Sequence, residues 1–450
     1  MHNFVINSVE KHADRYTRLA QDIWNNPELG FQEVRSSKFM ADALKEFGFE
    51  TELGAYGIPT AIRAVWGSGH PVIGFCGEYD ALPNLSQTVS TTKDPITPGA
   101  PGHGCGHNLL GTACLGAAVA LKEYLEENGK EGTVVYYGCP AEELLVGKAF
   151  MAKEGAFAEC DIAFSWHPAS IGVNSAGRIT GNNTAIFHFK GKTAHAAADP
   201  ENGRSALDAV EIMNVGVQFL REHVPSDVRM HYTITDGGVA PNIVPDTSSV
   251  WYYVRALDRD TLVDAYNRVV KCAEGAAHMT DTELEIEFTG GIYPTMPNRV
   301  LVDLLQEKTE QIPGPTYTEA ELEFARQINQ ANPRTNENTP PIDTNIYPVY
   351  TGDGYASTDF GDVNHIVPSA TLINVCSASM AFGHSWMITA CSGHSIGYKG
   401  MLHGAKVLGA AACQLIDDPS VVAAAKAEFD TKMAGKKYVC PITDDVKKPF

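Results

Sequence analysis

The 450-residue sequence is short of basic residues: 34 lysines and arginines stand against 54 aspartates and glutamates, a formal net charge of -20. Phosphate backbones are gripped by clustered Lys and Arg, so nucleic acid is not expected as a partner. No stretch reaches the roughly 18 to 20 apolar residues that a membrane-spanning helix needs. The opening residues, MHNFVINSVEKHADRYTRL, carry charges throughout in place of the apolar centre of an export signal. A cytoplasmic chain away from the membrane is the expectation. The ten cysteines, at 76, 105, 114, 139, 160, 272, 376, 391, 413 and 440, form no CxxC pair and no framework spacing, which fits reduced cytosolic thiols that mostly serve as small buried residues. Neither GxxxxGK[ST] nor a dinucleotide-type glycine fingerprint occurs in a strand-to-helix context, so phosphate cradling has no support. Internal repeats and long low-complexity tracts are also missing.

What is present is a long alternation of helical and strand patterns, more than one core usually organises, so two domains are expected. In RSSKFMADALKEFGFE, Phe39, Met40, Leu44 and Phe47 recur at helical spacing, which predicts a helix from about Ser36 to Gly48. PVIGFCGEYDALP then runs apolar from Val72 to Cys76 and turns abruptly into Glu78 and Asp80. A buried parallel strand with acids at its carboxyl end looks like this, and open α/β sheets gather ligands at that edge. The small-residue segment LLGTACLGAAVALKEYLEENGK predicts a helix closed by Asn128 and Gly129. GTVVYYGCP and CDIAFSWHP read as two further buried strands, so three strand ends deliver Asp80, Glu142 with Glu143, and His167.

Near residue 180 the texture changes to the apolar/polar alternation of half-exposed antiparallel strands. A β-α-β-β-α-β order follows over roughly 110 residues, the ferredoxin-like pattern. The predicted class is therefore α/β: a mixed, mainly parallel sheet flanked by helices, in residues 1–182 and 294–450, with an inserted ferredoxin-like α+β domain in residues 183–293. ELEFARQINQANPRTNENTPPIDTN reads as a polar surface connection, and SATLINVCSASM with YKGMLHGAKVLGAAACQLI returns to strand and helix.

The stretch PGHGCGHNLLG places His103, Cys105 and His107 at alternate positions among glycines. Imidazole and thiolate suit zinc and related metals, and an irregular loop can aim alternate side chains at one point. The alternatives are a glycine-rich polar turn and a cysteine nucleophile at Cys105, whose activity would survive chelation. Convergence with the acids and imidazole at the neighbouring strand ends favours a metal site.

NPELGFQE, EYDALP, GHGCGHN, PAEE, SWHP, GKTAHAAADPENGRSALDA, GGVAPNIVPD and GHSW occur in order from about residue 26 to about residue 410. Together they resemble the M20 metallopeptidase family, in its amidohydrolase subfamily and the p-aminobenzoyl-glutamate hydrolase branch. The resemblance implies two divalent metal ions, zinc or manganese, held by Cys105, His107, Glu143, His167 and His384, with His394 the fallback for the last ligand. It makes Glu142 the general base, and neighbouring strand-end carboxylates do diverge, so one can ligate while the other bonds the water. The insert corresponds to the family's lid and dimerisation domain, where His195 would stabilise the oxyanion in a neighbouring subunit's site. Asn242 and Arg255 are candidates for gripping a substrate carboxylate.

Where other branches carry a ligand histidine, this chain has Glu78 and Asp80, which are expected to support the ligands from behind. Asp359 and Asp362 are expected near the site without an assigned role, and His103, His231, His365 and His403 as structural or surface residues. The implied activity is hydrolysis of an N-acyl or aroyl amino acid such as p-aminobenzoyl-glutamate, with a dipeptidase or aminoacylase, or a catalytically silent subunit, as alternatives. The implied assembly is a homodimer through the lid, or a hetero-oligomer.

Overall fold

The structure is a computed structural model that describes residues 1–444, 446 and 448–450. The described residues form two sheets. The first contains β1 (Glu50–Leu53), β2 (Ile62–Ser68), β3 (Val72–Glu78), β4 (Gly132–Cys139), β5 (Ile162–Ala169) and, far along the chain, β10 (Ser369–Val375), in the order β1-β2-β4-β3-β5-β10. The run β4-β3-β5-β10 is parallel and β1 and β2 close one side antiparallel. All seven residues of β3 are buried, as expected of a parallel strand covered on both faces.

From β3 the chain passes through the helix His107–Asn128 to β4 on one side, then crosses back to β5 on the other. The carboxyl ends of these strands therefore open a crevice at the reversal of strand order, where such sheets bind ligands. The helix His107–Asn128 ends at Gly129 in the left-handed conformation, as its sequence predicts. The helix Ser395–Asp417 lies against the same face. Its Gly404 lets the backbone approach Trp166, since a Cβ there would fall 2.6 Å from the indole Nε1.

The second sheet holds β6 (Gly181–Lys190), β7 (Arg229–Asp236), β8 (Thr247–Ala256) and β9 (Glu283–Ile292), ordered β7-β8-β6-β9 and antiparallel throughout. The helices Ala206–Leu220 and Arg259–Thr280 cover one face around Phe187, Met213, Val250 and Leu262. This is the ferredoxin-like order read from the sequence. Along β8 the period-2 alternation buries Val250, Tyr252, Val254 and Ala256 under those helices and turns Tyr253 and Arg255 the other way.

One expectation fails. Residues 321–330, read as part of a polar connection, belong to the helix Glu319–Gln330. Its signal is the capping box Thr318 to Glu321, which satisfies backbone donors from both ends, with Ala325 and Ile328 buried one turn apart. The flanking prolines and asparagines masked it. No single helix among the described residues is long and apolar enough to cross a membrane.

Candidate functional site

The loop before the helix His107–Asn128 is threaded through very little space. A Cβ at Gly102 would fall 1.9 Å from the Leu85 carbonyl oxygen, and Gly106, at φ +81°, meets the Pro168 ring. Only glycine satisfies both demands, and the result is that Cys105 and His107 face the strand ends. His103 does not: it is buried on the other side, with Nε2 bonded to the Ile23 carbonyl at 3.2 Å.

Each donor side chain is fixed by a partner of its own. His107 Nδ1 donates to Asp80 Oδ1 at 2.7 Å, which leaves Nε2 with its lone pair toward the crevice. His167 on β5 donates Nδ1–H to the Pro168 carbonyl at 2.8 Å, and its Nε2 lies 3.4 Å from Cys105 Sγ. Burial lowers His167 to about 4, so its ring is a neutral donor. Glu143 follows β4, where its N–H is held by Asp80 Oδ2 at 2.9 Å, and His384 Nε2 comes within 3.5 Å of its carboxylate. His384 is itself anchored, its backbone N–H donating to the Gly104 carbonyl at 3.0 Å. His394 lies apart, capping the helix Ser395–Asp417 and stacking on Phe324 at 4.0 Å.

Ligand atoms of Cys105, His107 and His167 lie within 4.8 Å of one another, as do those of Cys105, Glu143 and His384, and of Glu78, His107 and Glu142. His107 Nε2 and Glu143 Oε1 are buried without a hydrogen-bond partner. Burial pushes the Cys105 thiol up to about 12, and burial with the nearby Asp80 and Glu78 pushes Glu143 up to about 7. A cysteine, three imidazoles and a carboxylate, with His107 Nε2 and Glu143 Oε1 buried and unpartnered, are a donor set that a divalent cation fits.

Glu142, 8% exposed, adjoins this set, with Oε2 3.9 Å from His107 Nε2. Burial, then Glu78 and Asp359, push its carboxyl well above the usual range. Behind it lies an ion cluster that sequence reasoning missed. Lys148 is fully buried and donates to Glu78 Oε1 at 2.5 Å and to Asp359 Oδ1 at 2.6 Å, while its backbone N–H bonds Asp359 Oδ2 at 2.8 Å. The signal was a lysine six residues after Glu142, at the start of the short helix Gly147–Lys153 and ahead of its apolar residues. Asp80 and Glu78 thus stand behind the donors, although Glu78 Oε2 also comes within 3.3 Å of His107 Nε2. Asp362 bonds Tyr438 and the Tyr293 backbone instead.

A cavity of about 600 Å³ opens from Glu142, Cys105 and His384, lined mainly by apolar side chains such as Leu145, Ile179, Tyr253, Phe360 and Ile373. Arg255 reaches it from β8, its guanidinium 5.5 Å from the Tyr253 ring centre and its Nε buried without a partner. His195 and Asn242 do not line it. They sit side by side on an exposed loop pair of the second sheet, where the Ala196 N–H bonds the Asn242 carbonyl at 3.0 Å. His231 is exposed, His365 bonds the Gly361 carbonyl, and His403 is buried beside Asn374.

The chain is similar to known proteins over most of its length. One of the subunits of the Escherichia coli p-aminobenzoyl-glutamate hydrolase is 38% identical, with 99% of this chain and 98% of the relative covered. The Xaa-Arg dipeptidase of Mus musculus is 28% identical over 94% of this chain and 91% of its own. A solved dinuclear metal-binding peptidase of the M20 family from Bacillus subtilis superposes with a TM-score of 0.61 at 18% identity, over 91% of this chain and 99% of that one. Residues 74–330 match the peptidase family M20/M25/M40, and with the near full-length likeness above, the chain belongs to that family.

Proposed function

We propose that this chain hydrolyses the amide bond of an N-acyl or aroyl amino acid, a substrate of the p-aminobenzoyl-glutamate type. The observation that carries the reading is the convergence of Cys105, His107, Glu143, His167 and His384 beside Glu142 at the mouth of one largely apolar cavity with Arg255 in its wall. The five converging residues would hold two divalent cations, zinc or manganese, which supply Lewis-acid polarisation of the amide carbonyl and acidify water. The thiolate of Cys105 leans the set toward zinc.

Glu142 is the general base: its carboxylate takes the proton of the attacking water and returns it to the leaving amine nitrogen. The pair Asp80 and Glu143 N–H keeps the ligand carboxylate turned away from that task. Arg255 would pair with the substrate carboxylate, since its guanidinium, with Nε buried and unpartnered, offers a planar fork. The apolar walls around Tyr253 and Phe360 suit an aromatic acyl group.

His195 is assigned to the site of a second subunit. Its Nδ1 accepts the N–H groups of Ala197 and Ala198 at 3.2 and 3.1 Å, so the neutral ring carries its proton on Nε2, the tautomer an oxyanion donor needs. Asn242 beside it would act on the same substrate. We propose residues 183–293 as the lid through which a homodimer forms. The Escherichia coli relative is by name one subunit of a hydrolase, which favours a hetero-oligomer as the second arrangement, and the dipeptidase relative favours a dipeptide as the second substrate.

The test is turnover of aroyl-glutamates, N-acetyl amino acids and dipeptides by metal-loaded and chelated protein, with Glu142→Ala as control. Aroyl-glutamate turnover that disappears on chelation and falls by about 10²- to 10⁴-fold in the control is expected. Undiminished turnover in either arm would sink the mechanism.

A further inference from the structure

The proposed base sits in a sharply bent stretch. Ala141, just before Glu142, and Leu145, three residues after it, have φ of 56° and 57°, a left-handed conformation that side chains with a Cβ resist. Ala141 is fully buried, and a Cβ on Gly30 would fall 3.0 Å from its Cα, so the bend is packed on its outer side by the segment containing NPELGFQE.

Two buried carboxylates hold the backbone on either side of Glu142. Glu33, with no exposed surface, accepts the Ala141 N–H on Oε1 at 2.8 Å and the Thr60 hydroxyl on Oε2 at 3.0 Å. The Thr60 carbonyl is held in turn by the Tyr79 hydroxyl. Asp80 accepts the Glu143 N–H at 2.9 Å. Asp80 also orients His107, so its hold serves the metal donors. Glu33 touches none of those donors and does not line the cavity. What its carboxyl fixes at the site is the Ala141 amide, which opens the left-handed turn into Glu142.

We propose that Glu33 is a positioning residue for the catalytic base: it holds Ala141 in the left-handed conformation and thereby aims the Glu142 side chain at the water. The inference rests on the reading of Glu142 as the base. A glutamate that served only the core would affect stability without a selective effect on turnover, and relief of the left-handed penalty at Ala141 would not compensate for its loss.

The experiment compares E33Q, E33M, E33M/A141G and E142A in the full-length, metal-loaded enzyme, reading kcat, KM, metal content and thermal midpoint. E33Q keeps an acceptor oxygen, and its kcat is expected within about threefold of the parent, whereas E33M is expected to lose about 30- to 100-fold in kcat with KM and metal content unchanged. Glycine adopts positive φ without an external hold, so A141G in the E33M background is expected to regain about tenfold. Full kcat in E33M, metal loss in step with kcat, or no gain from A141G overturns the proposal. Should E33M not fold, T60V removes the hydroxyl that orients Glu33; a loss of about fivefold that A141G restores is then expected, and parental kcat overturns the proposal. Parental turnover in E142A overturns the base reading by itself, independently of what the Glu33 series does.

Discussion

His107 shows how much one side chain depends on its second partner. Its Nδ1 is bound to Asp80, which turns Nε2 into the crevice, where it has no hydrogen-bond partner and Glu78 Oε2 lies 3.3 Å away. The residue types of this set were legible in sequence because alternate positions of a glycine-rich loop and three strand ends carry them. Lys148 was not legible, and Asp359 was placed near the site only without a role, since 211 positions separate partners that meet at 2.6 Å. Glu33 was quoted only as part of a motif, because its task is a backbone bond to Ala141, 108 positions away. Arg255 allows a direct test at this scale. Arg255→Ala is expected to raise KM for an N-acyl amino acid about 30-fold with kcat within about threefold, and lysine to recover only part of the loss because it lacks the fork. Steady-state kinetics with the substrate and its carboxylate amide check this: the amide should not distinguish parent from variant.

Among the elements, the helix Glu319–Gln330 was missed and yet is firmly tied. Glu321 closes its capping box on Thr318 and also takes the Ser395 hydroxyl at 2.6 Å and Lys399 Nζ at 2.7 Å, joining this helix to the start of Ser395–Asp417. Burial alone would raise Glu321, but the bonds from Lys399, Ser395 and Thr318 outweigh it and hold the carboxyl at about 2 against an ordinary 4.5. A carboxyl held down by folding stabilises above its unfolded value and loses that contribution as pH falls through 4.5 toward 2. Glu321→Gln should therefore cost about 1 kcal/mol near neutral pH, allowing for partial solvent screening. Urea unfolding at pH 7 and pH 3 checks it: the gap between parent and variant should narrow at the lower pH. The strands, by contrast, were legible from apolar runs and alternation, since burial on two faces or one leaves different periods.

For the whole molecule, the second sheet presents β7 as an outer strand with Tyr232 and Ile234 about 40% exposed. An uncovered strand edge of this kind is a template for pairing, and it supports the homodimer proposed above. The double variant Tyr232→Glu, Ile234→Lys is expected to elute as a folded monomer in size exclusion with light scattering and to lose most turnover, because His195 would no longer reach a neighbour's site. Mixing His195→Ala with Glu142→Ala should restore turnover through mixed dimers that hold one intact site, and failure of that mixture to exceed either variant alone would refute the shared site. The sequence by itself determined the fold class, the two-sheet organisation and the types of residue that gather at the strand ends, because periodicity and residue chemistry are local properties of the chain. Only the tertiary structure decided which of the alternate loop histidines faces inward, that His384 and not His394 meets Glu143, and that Glu33, Asp80, Lys148 and Asp359 surround the acidic pair. Those outcomes depend on packing between segments distant in the chain, and no local pattern encodes them.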